Sequence, residues 1–435
     1  MTGAPPEAVD ASAAASEGLH AHFDAVFAAF SEIGRSNDTG AERLAFGSAD
    51  AAVRAEFEAL CVRHGLHYLV DPIGNQFALV YPPSDPRPLV LVGSHLDSQP
   101  DGGRFDGQVG VAAAIAVVVS ARDTAERDTG GPGATRALGA VNWANEEGAR
   151  FQPSVMGSSV FTGQLPLATA LESRDAAGAL LADEITDRAL GGSDGLTQPV
   201  AAYAELHVEQ GSVLEDAGQH IGIVDGTWAA HKADVRVRGI QTHTGPTPMA
   251  RRVDALAAAA QLIAGLRELG LADSDGLLHT AVAWLRITPN SPNATPSLVE
   301  FKVELRSPDE RRVQRAREAM AGLIRQVEDT VGVTCEVGAW SERSSASFPE
   351  ALVGVAESCV AGLGLRSRRM PTIAGHDAVI MNAAGIPTAL LFVPSAGGIT
   401  HNAKEFTSPD DLRNGVAALA AVTRQLIESG GRLSD

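Results

Sequence analysis

The chain has 435 residues, 45% of them hydrophobic, and a formal net charge of −19. That length exceeds one simple core and makes two domains the expectation. The acidic balance argues against nucleic acid as a partner and offers no general attraction for an anionic substrate.

The opening run MTGAPPEAVDASAAASEG lacks a basic start and an apolar centre, so residues 1–18 are expected to be a disordered tail rather than a signal peptide. Leu19 to Arg35 and Ala41 to His64 carry apolar residues at helical spacing. His67 to Tyr81 alternates around Ile73-Gly74-Asn75 and reads as a hairpin. Pro88 to Val92 is strand-like. Val109 to Val119 is the most apolar stretch; it is short of a membrane span and Ala-rich, as a helix packed on a sheet would be. A polar, Gly-rich connector, Ala121 to Ala137, separates it from the next strand, Ala137 to Ala144. Ala168 to Leu190 suggests two short helices, and Ala201 to Leu206 another strand. The character changes near Trp228. His231 to Gly239, His279 to Thr288, Leu298 to Ser307 and Val333 to Trp340 read as strands, and Asp254 to Leu269 and Arg311 to Val331 as amphipathic helices. This β-α-β-β-α-β order is the split βαβ arrangement. Cys61, Cys335 and Cys359 are too few and too scattered for a disulfide framework, which suits a reducing cytoplasm.

Chemistry concentrates where apolar strands end. The run GSHLDSQPDGGRFDG, Gly93 to Gly107, holds His95, Asp97 and Asp106. NEEG (Asn145 to Gly148), LHVEQG (Leu206 to Gly211) and GGITHN (Gly397 to Asn402) follow other β-rich runs. Open α/β sheets bind ligands beyond the carboxyl ends of their strands, and His, Asp and Glu are the ligands of catalytic divalent metals. Two ions held about 3.5–4 Å apart need a bridging carboxylate. Asp106, with glycines on either side of its loop, is the natural bridge. His95 and His207 would complete one ion, and Glu147 and His401 the other. Asp97 is expected to accept the imidazole N–H of His95 and fix its tautomer. Glu146, beside a metal ligand, is the general-base candidate; the plainer alternative is a helix N-terminal cap. The expected architecture is α/β. A catalytic dinuclear metal domain, residues 19–228 and 346–435, has a central mostly parallel sheet flanked by helices. A smaller α+β domain, residues 229–345, is inserted in it.

GGRFDG, NEEGARF, ELHVEQG, GPTPM, GHDA and the terminal THN together resemble the M20 metallohydrolases, in the branch of N-carbamoyl-L-amino acid hydrolases, allantoate amidohydrolases and β-ureidopropionases. The resemblance runs from about residue 20 to the C-terminus. His207 as the ligand in HVEQG, rather than Asp or Glu, favours this branch over the peptidases. The resemblance implies two divalent metals per subunit, Zn2+ first with Mn2+, Co2+ or Ni2+ as the other candidates. It also implies a homodimer assembled through a ferredoxin-like inserted domain. It implies that His243 polarises the scissile carbonyl, in the active site of the other subunit. Asn293 and Arg306 would grip a substrate carboxylate, although Arg306 also reads as a surface strand residue. Gln210 is a candidate amide contact to substrate, His376 a pocket residue, and Gly397 and Gly398 candidate backbone N–H donors to the carboxylate. Thr244 stands where the family has a small Ala or Gly, and Thr372-Ile373 where it has Ser-Gly, at positions that bear on the pocket's side-chain preference. The expected activity is removal of the carbamoyl group from an N-carbamoyl-L-amino acid. Allantoate or another ureide is the alternative, an aminoacylase or dipeptidase a more distant one, and a non-catalytic metal-containing binder the rival from another class. The expected partners are a small ureido or amide substrate bearing a carboxylate and a second copy of the chain, with no nucleic acid and no membrane.

Overall fold

The computed structural model describes residues 6–36, 39–127, 135–193 and 195–428. It divides into two compact units, one of Met1–Asp225, Phe348–Met370 and Ala374–Asp435, the other of Gly226–Ser347 with Pro371–Ile373.

In the first unit, helix α1 (Pro6–Ser31) begins inside the stretch expected as a tail. Its proline stands first and alanines follow, an order that favours a helix start; residues 1–5 lie outside the described residues. Helix α2 (Ser48–Arg63) starts later than the sequence pattern suggested. Phe46 takes a φ of 59° and Gly47 is extended, so the backbone cannot continue the helix upstream. A hairpin of β1 (His67–Val70) and β2 (Gln76–Leu79) follows. Then come β3 (Leu89–His95), α3 (Gln108–Arg127), β4 (Ala137–Trp143), β5 (Val200–Val208) and β6 (Ile221–Thr227). Part of the expected connector after Ala121 is thus helical, and 128–134 lie outside the described residues.

Every residue of β3 and β4 is buried, as apolar runs are when helices cover both faces of a sheet. The alanines of α3 bury with them: Ala112, Ala113, Ala114 and Ala116 are fully inaccessible. Each large aliphatic side chain in such a core contributes roughly 1.5–3 kcal/mol. With β11 (Thr388–Val393), seven of the nine strands of the sheet run in the order β6-β11-β5-β3-β4-β2-β1. Parallel pairing joins β4, β3, β5 and β11, whereas the flanking pairs are antiparallel. The sheet is therefore mixed, and the expected parallel character belongs to its centre. Register aligns His95 with Trp143, and His207 with Phe392. The loops after β3, β4, β5 and β11 consequently leave from one edge of the sheet.

The second unit runs β7 (Ala229–Arg238), α4 (Ala255–Leu271), β8 (His279–Thr288), β9 (Leu298–Ser307), α5 (Glu310–Val331) and β10 (Thr334–Val337). The strands are antiparallel in the order β8-β9-β7-β10. From Ala233 to Arg238, β7 alternates buried and exposed residues, the pattern of a sheet covered on one face. Val235, Val237, Phe301 and Leu305 pack with Leu262, Leu266, Val313 and Met320 of the helices. The Asp254 carboxylate caps α4 by accepting from Leu256 N and Ala257 N, and Asp309 caps α5; each cap contributes about 1 kcal/mol.

Candidate active site

Asp106 is the hub of the site. Its Oδ1 lies 3.5 Å from His95 Nε2 and 3.1 Å from His207 Nε2. Its Oδ2 lies 3.5 Å from His401 Nε2, and that nitrogen is 3.3 Å from Glu147 Oε2. Two groups that could hold a metal ion result, His95–Asp106–His207 and Asp106–Glu147–His401, sharing one carboxylate. Glu146 Oε2 stands 3.6 Å from His95 Nε2. The first group is buried, while His401 is 45% exposed.

Local backbone geometry aims these side chains. After β4, Asn145 adopts a φ of 52°, a left-handed turn that Asn tolerates better than most residues. Its Nδ2 donates to the carbonyls of Phe151 and Pro153. The turn hands Glu146 and Glu147 out in succession. Asp97 does not fix the His95 tautomer with its carboxylate. His95 Nδ1 is 2.9 Å from the Asp97 carbonyl and 3.8 Å from the carboxylate. The carboxylate instead accepts from the backbone N–H groups of Glu146, at 3.1 Å, and Glu147, at 3.2 Å. Asp97 thus holds the turn that carries both glutamates. Gly107, with φ 67°, lies against the His95 ring, and a Cβ there would come within 2.4 Å of it.

The electrostatics suit cations. Burial lifts the Glu146 carboxyl well above its ordinary range; His95 opposes this, and Asp377 and Glu147 add to it. Burial, with help from Asp106, pushes Glu147 up to about 7. Burial works against protonating His207, yet Asp106 raises it to about 9. Among the described residues no Lys or Arg forms a salt bridge with Asp97, Asp106, Glu146 or Glu147. A buried set of imidazole nitrogens and carboxylate oxygens, short of positive charge, is the donor set of divalent metals, so these residues fit such ions.

The other predicted residues divide. Gln210 donates its amide to Asp106 Oδ2 at 2.7 Å, so its partner here is the carboxylate shared by the two groups. Gly397 N donates to Glu215 Oε2 at 2.6 Å and Gly398 N to the Ser395 carbonyl at 2.9 Å. Both N–H groups have partners within the protein, so a substrate carboxylate would compete with Glu215 and Ser395 for them. His376 is buried against the His207 ring, 4.6 Å between centroids. In the second unit His243 is exposed and bridges to Ala294 by backbone pairing, and Thr244 N donates to Asn293 O. Those contacts bring His243 and the exposed Asn293 together. Gly245 N donates to His243 Nδ1 at 3.0 Å, which leaves the ring proton on Nε2. Arg306 pairs with Glu304 at 2.6 Å and also donates to the Ile373 carbonyl. It lines a cavity of about 570 Å³ with His279, Thr280 and Ile373.

Several residues at the site escaped the sequence reading. Gln99 donates to Glu147 Oε2 at 2.8 Å. Arg43, fully buried, donates its Nε to the Leu96 carbonyl at 2.7 Å and so anchors the loop after β3. Glu405 accepts from the backbone of the Asp106 loop. Asn75 joins Asp71 to the backbone on either side of the Glu146 turn. The signal available for Glu405 was its place in THNAKEF, just beyond His401; for Arg43 none stands out.

Residues 91–425 match the model of peptidase family M20/M25/M40. An N-carbamoyl-L-amino-acid amidohydrolase of Rhizobium meliloti is 32% identical, over 86% of this chain and 88% of that one. An allantoate amidohydrolase of Bacillus subtilis is 31% identical, over 91% and 95%. The crystal structure of a hydantoinase/carbamoylase family amidase from Burkholderia vietnamiensis superposes with a TM-score of 0.88 at 29% identity, covering 94% of this chain and 98% of that chain.

Proposed function

The chain belongs to peptidase family M20/M25/M40, and we propose that it removes the carbamoyl group from an N-carbamoyl-L-amino acid, using two divalent metal ions. It is a hydrolase of the carbamoylase and allantoate amidohydrolase type, acting on non-peptide C–N bonds. The observation that carries the reading is the Asp106 carboxylate shared by two ligand groups, with Glu146 beside them.

His95, Asp106 and His207 would hold one ion and Asp106, Glu147 and His401 the other. Zn2+ is the first choice, and Mn2+, Co2+ or Ni2+ the others. When bound, such ions supply the positive charge that acidifies water and polarises a carbonyl. Glu146 takes the proton of the water that attacks the carbamoyl carbon and returns it to the departing amine nitrogen. The C–N bond to the amino acid breaks, and the carbamate released decays to ammonia and carbon dioxide. His243, with its proton on Nε2, donates to the carbonyl oxygen as negative charge develops there, in the site of a partner subunit. Arg306 offers a planar fork, and Asn293 an amide, to the substrate carboxylate. Glu304 already pairs with that fork, so the substrate carboxylate competes with it. The reducing surroundings that three free cysteines suit support a cytoplasmic location, and among the described residues no helix is long and apolar enough to cross a membrane.

Allantoate is the second reading, favoured by the similar identity to the allantoate relative. Ammonia release, measured together with release of free α-amine, from metal-loaded protein over a panel of N-carbamoyl-L-amino acids, allantoate and N-acyl amino acids separates them, because an acyl substrate yields the amine without ammonia. Preferential turnover of N-carbamoyl-L-amino acids is expected. Preference for allantoate would replace the first reading with the second, and turnover of acyl amino acids alone would overturn both.

A further inference from the structure

The side chain that ties the two halves of the site together is not itself a ligand. Glu405 lies in the loop that carries His401 and is 2% exposed. One of its oxygens, Oε2, accepts from Phe105 N at 2.9 Å and from Asp106 N at 3.1 Å. That oxygen therefore grips the backbone of the residue whose carboxylate both ligand groups share. The seat for Glu405 is made by Gly103: a Cβ there would come within 1.8 Å of Oε2 and 2.5 Å of the Glu405 Cβ. The loop bearing Asp106 leaves room for one carboxylate at this point, and the loop bearing His401 fills it. A second carboxylate buried close to Asp106 is costly, because like charges in a dry pocket repel. A residue needed only to close the fold has cheaper solutions.

We propose that Glu405 is a positioning residue for cation binding, fixing the direction of the Asp106 carboxylate and its spacing from His401. The inference rests on the reading of Asp106 as the shared ligand. Glu405 acts through two backbone hydrogen bonds and touches neither substrate nor the reacting atoms. Partners that orient ligands in this way typically govern metal affinity by about 10–100-fold.

The test is calorimetric titration of Zn2+ and of Mn2+ into full-length protein stripped by chelator, at a temperature where every variant is folded by circular dichroism. Glu405→Ala should bind each ion about 10–100-fold more weakly than wild type. Glu405→Gln, whose carbonyl oxygen can accept both N–H groups, should recover affinity to within about threefold. Glu405→Ala with unchanged affinity, even with a lowered Tm, would make the residue purely structural and overturn the proposal. Glu405→Gln as weak as Glu405→Ala would also overturn it, assigning the effect to charge instead of anchoring. Wild-type protein that takes up no divalent ion would instead overturn the underlying metal reading, so the two failures are distinguishable.

Discussion

Asn75 is fully inaccessible, and its side chain holds together the support beneath the Glu146 turn. Its Nδ2 donates to Asp71 Oδ2 at 2.7 Å and to the Gly157 carbonyl at 3.0 Å, and its Oδ1 accepts from Ala144 N at 2.9 Å. Ala144 and Gly157 are themselves paired, Gly157 N donating to Ala144 O at 2.8 Å. They flank the turn that presents Glu146 and Glu147. Asn75→Ala removes these bonds and leaves buried partners behind. Each unsatisfied buried group costs about 1–3 kcal/mol. Protonation of Asp71 relieves part of that, so the sum is about 3–6 kcal/mol, a large share of the roughly 5–15 kcal/mol that holds a domain folded. Urea unfolding of wild type and variant, with slopes compared to check that both reach the same unfolded state, measures it. Hydrogen exchange at Ala144 and Gly157 should accelerate in parallel. A loss below about 1 kcal/mol at unchanged slope, with both amides still protected, would refute the reasoning.

Burial pushes the Asp71 carboxyl up to about 6, so the native state keeps its proton where the unfolded chain, near 3.9, has lost it. The contribution is complete below about pH 4 and lost as pH rises through 6, amounting to about 3 kcal/mol; Asp71→Asn should flatten that part of a stability–pH curve, and an unchanged slope would remove Asp71 as its source. Glu146→Gln keeps shape and loses the proton acceptor, so kcat should fall about 10²–10⁴-fold with metal uptake intact; retained turnover assigns the proton transfer elsewhere. Arg306→Ala should cost about 2–5 kcal/mol of kcat/KM on a carboxylate substrate and little on its amide analogue, equal losses marking Arg306 as structural through Glu304. If His243 serves a partner subunit as proposed, mixing inactive Glu146→Gln with inactive His243→Ala under subunit exchange should restore some activity, because one site of a mixed dimer would hold both residues; exchange proven by mass without recovery would place His243 in the same subunit's site or outside the chemistry.

Strand ends were the legible part of this molecule. His95, Glu147 and His207 each stand at or just past an apolar run, and parallel pairing sends such ends to one edge of a sheet. The strand Leu298–Ser307 was readable to the residue because period-two alternation is strong in it, and its antiparallel neighbour His279–Thr288 was readable although a register shift between Val282 and Trp284 breaks its alternation. Apart from Gln99, which reaches the Glu147 carboxylate, what escaped are residues that act on backbone groups. Asn75, Arg43 and Glu405 address carbonyls or N–H groups supplied by segments distant in sequence, and a backbone partner leaves no residue-type signature. Asp97 was found, but its carboxylate reaches the Glu146–Glu147 backbone instead of the imidazole. A glycine pair advertises free N–H groups, but those of Gly397 and Gly398 already donate to Glu215 and Ser395.

The ligand order along the chain also sets a schedule for biosynthesis. His95, Asp106, Glu147 and His207 precede the second unit, whereas His401 and Glu405 follow it. At translation rates of about 5–20 residues per second, tens of seconds separate the emergence of the first histidine from that of the last. Through that interval the nascent chain can offer a cation His95, Asp106 and His207 but neither His401 nor the anchor on the Asp106 loop. Under the proposed ligand assignment, the second group therefore cannot be completed until the second unit has been made.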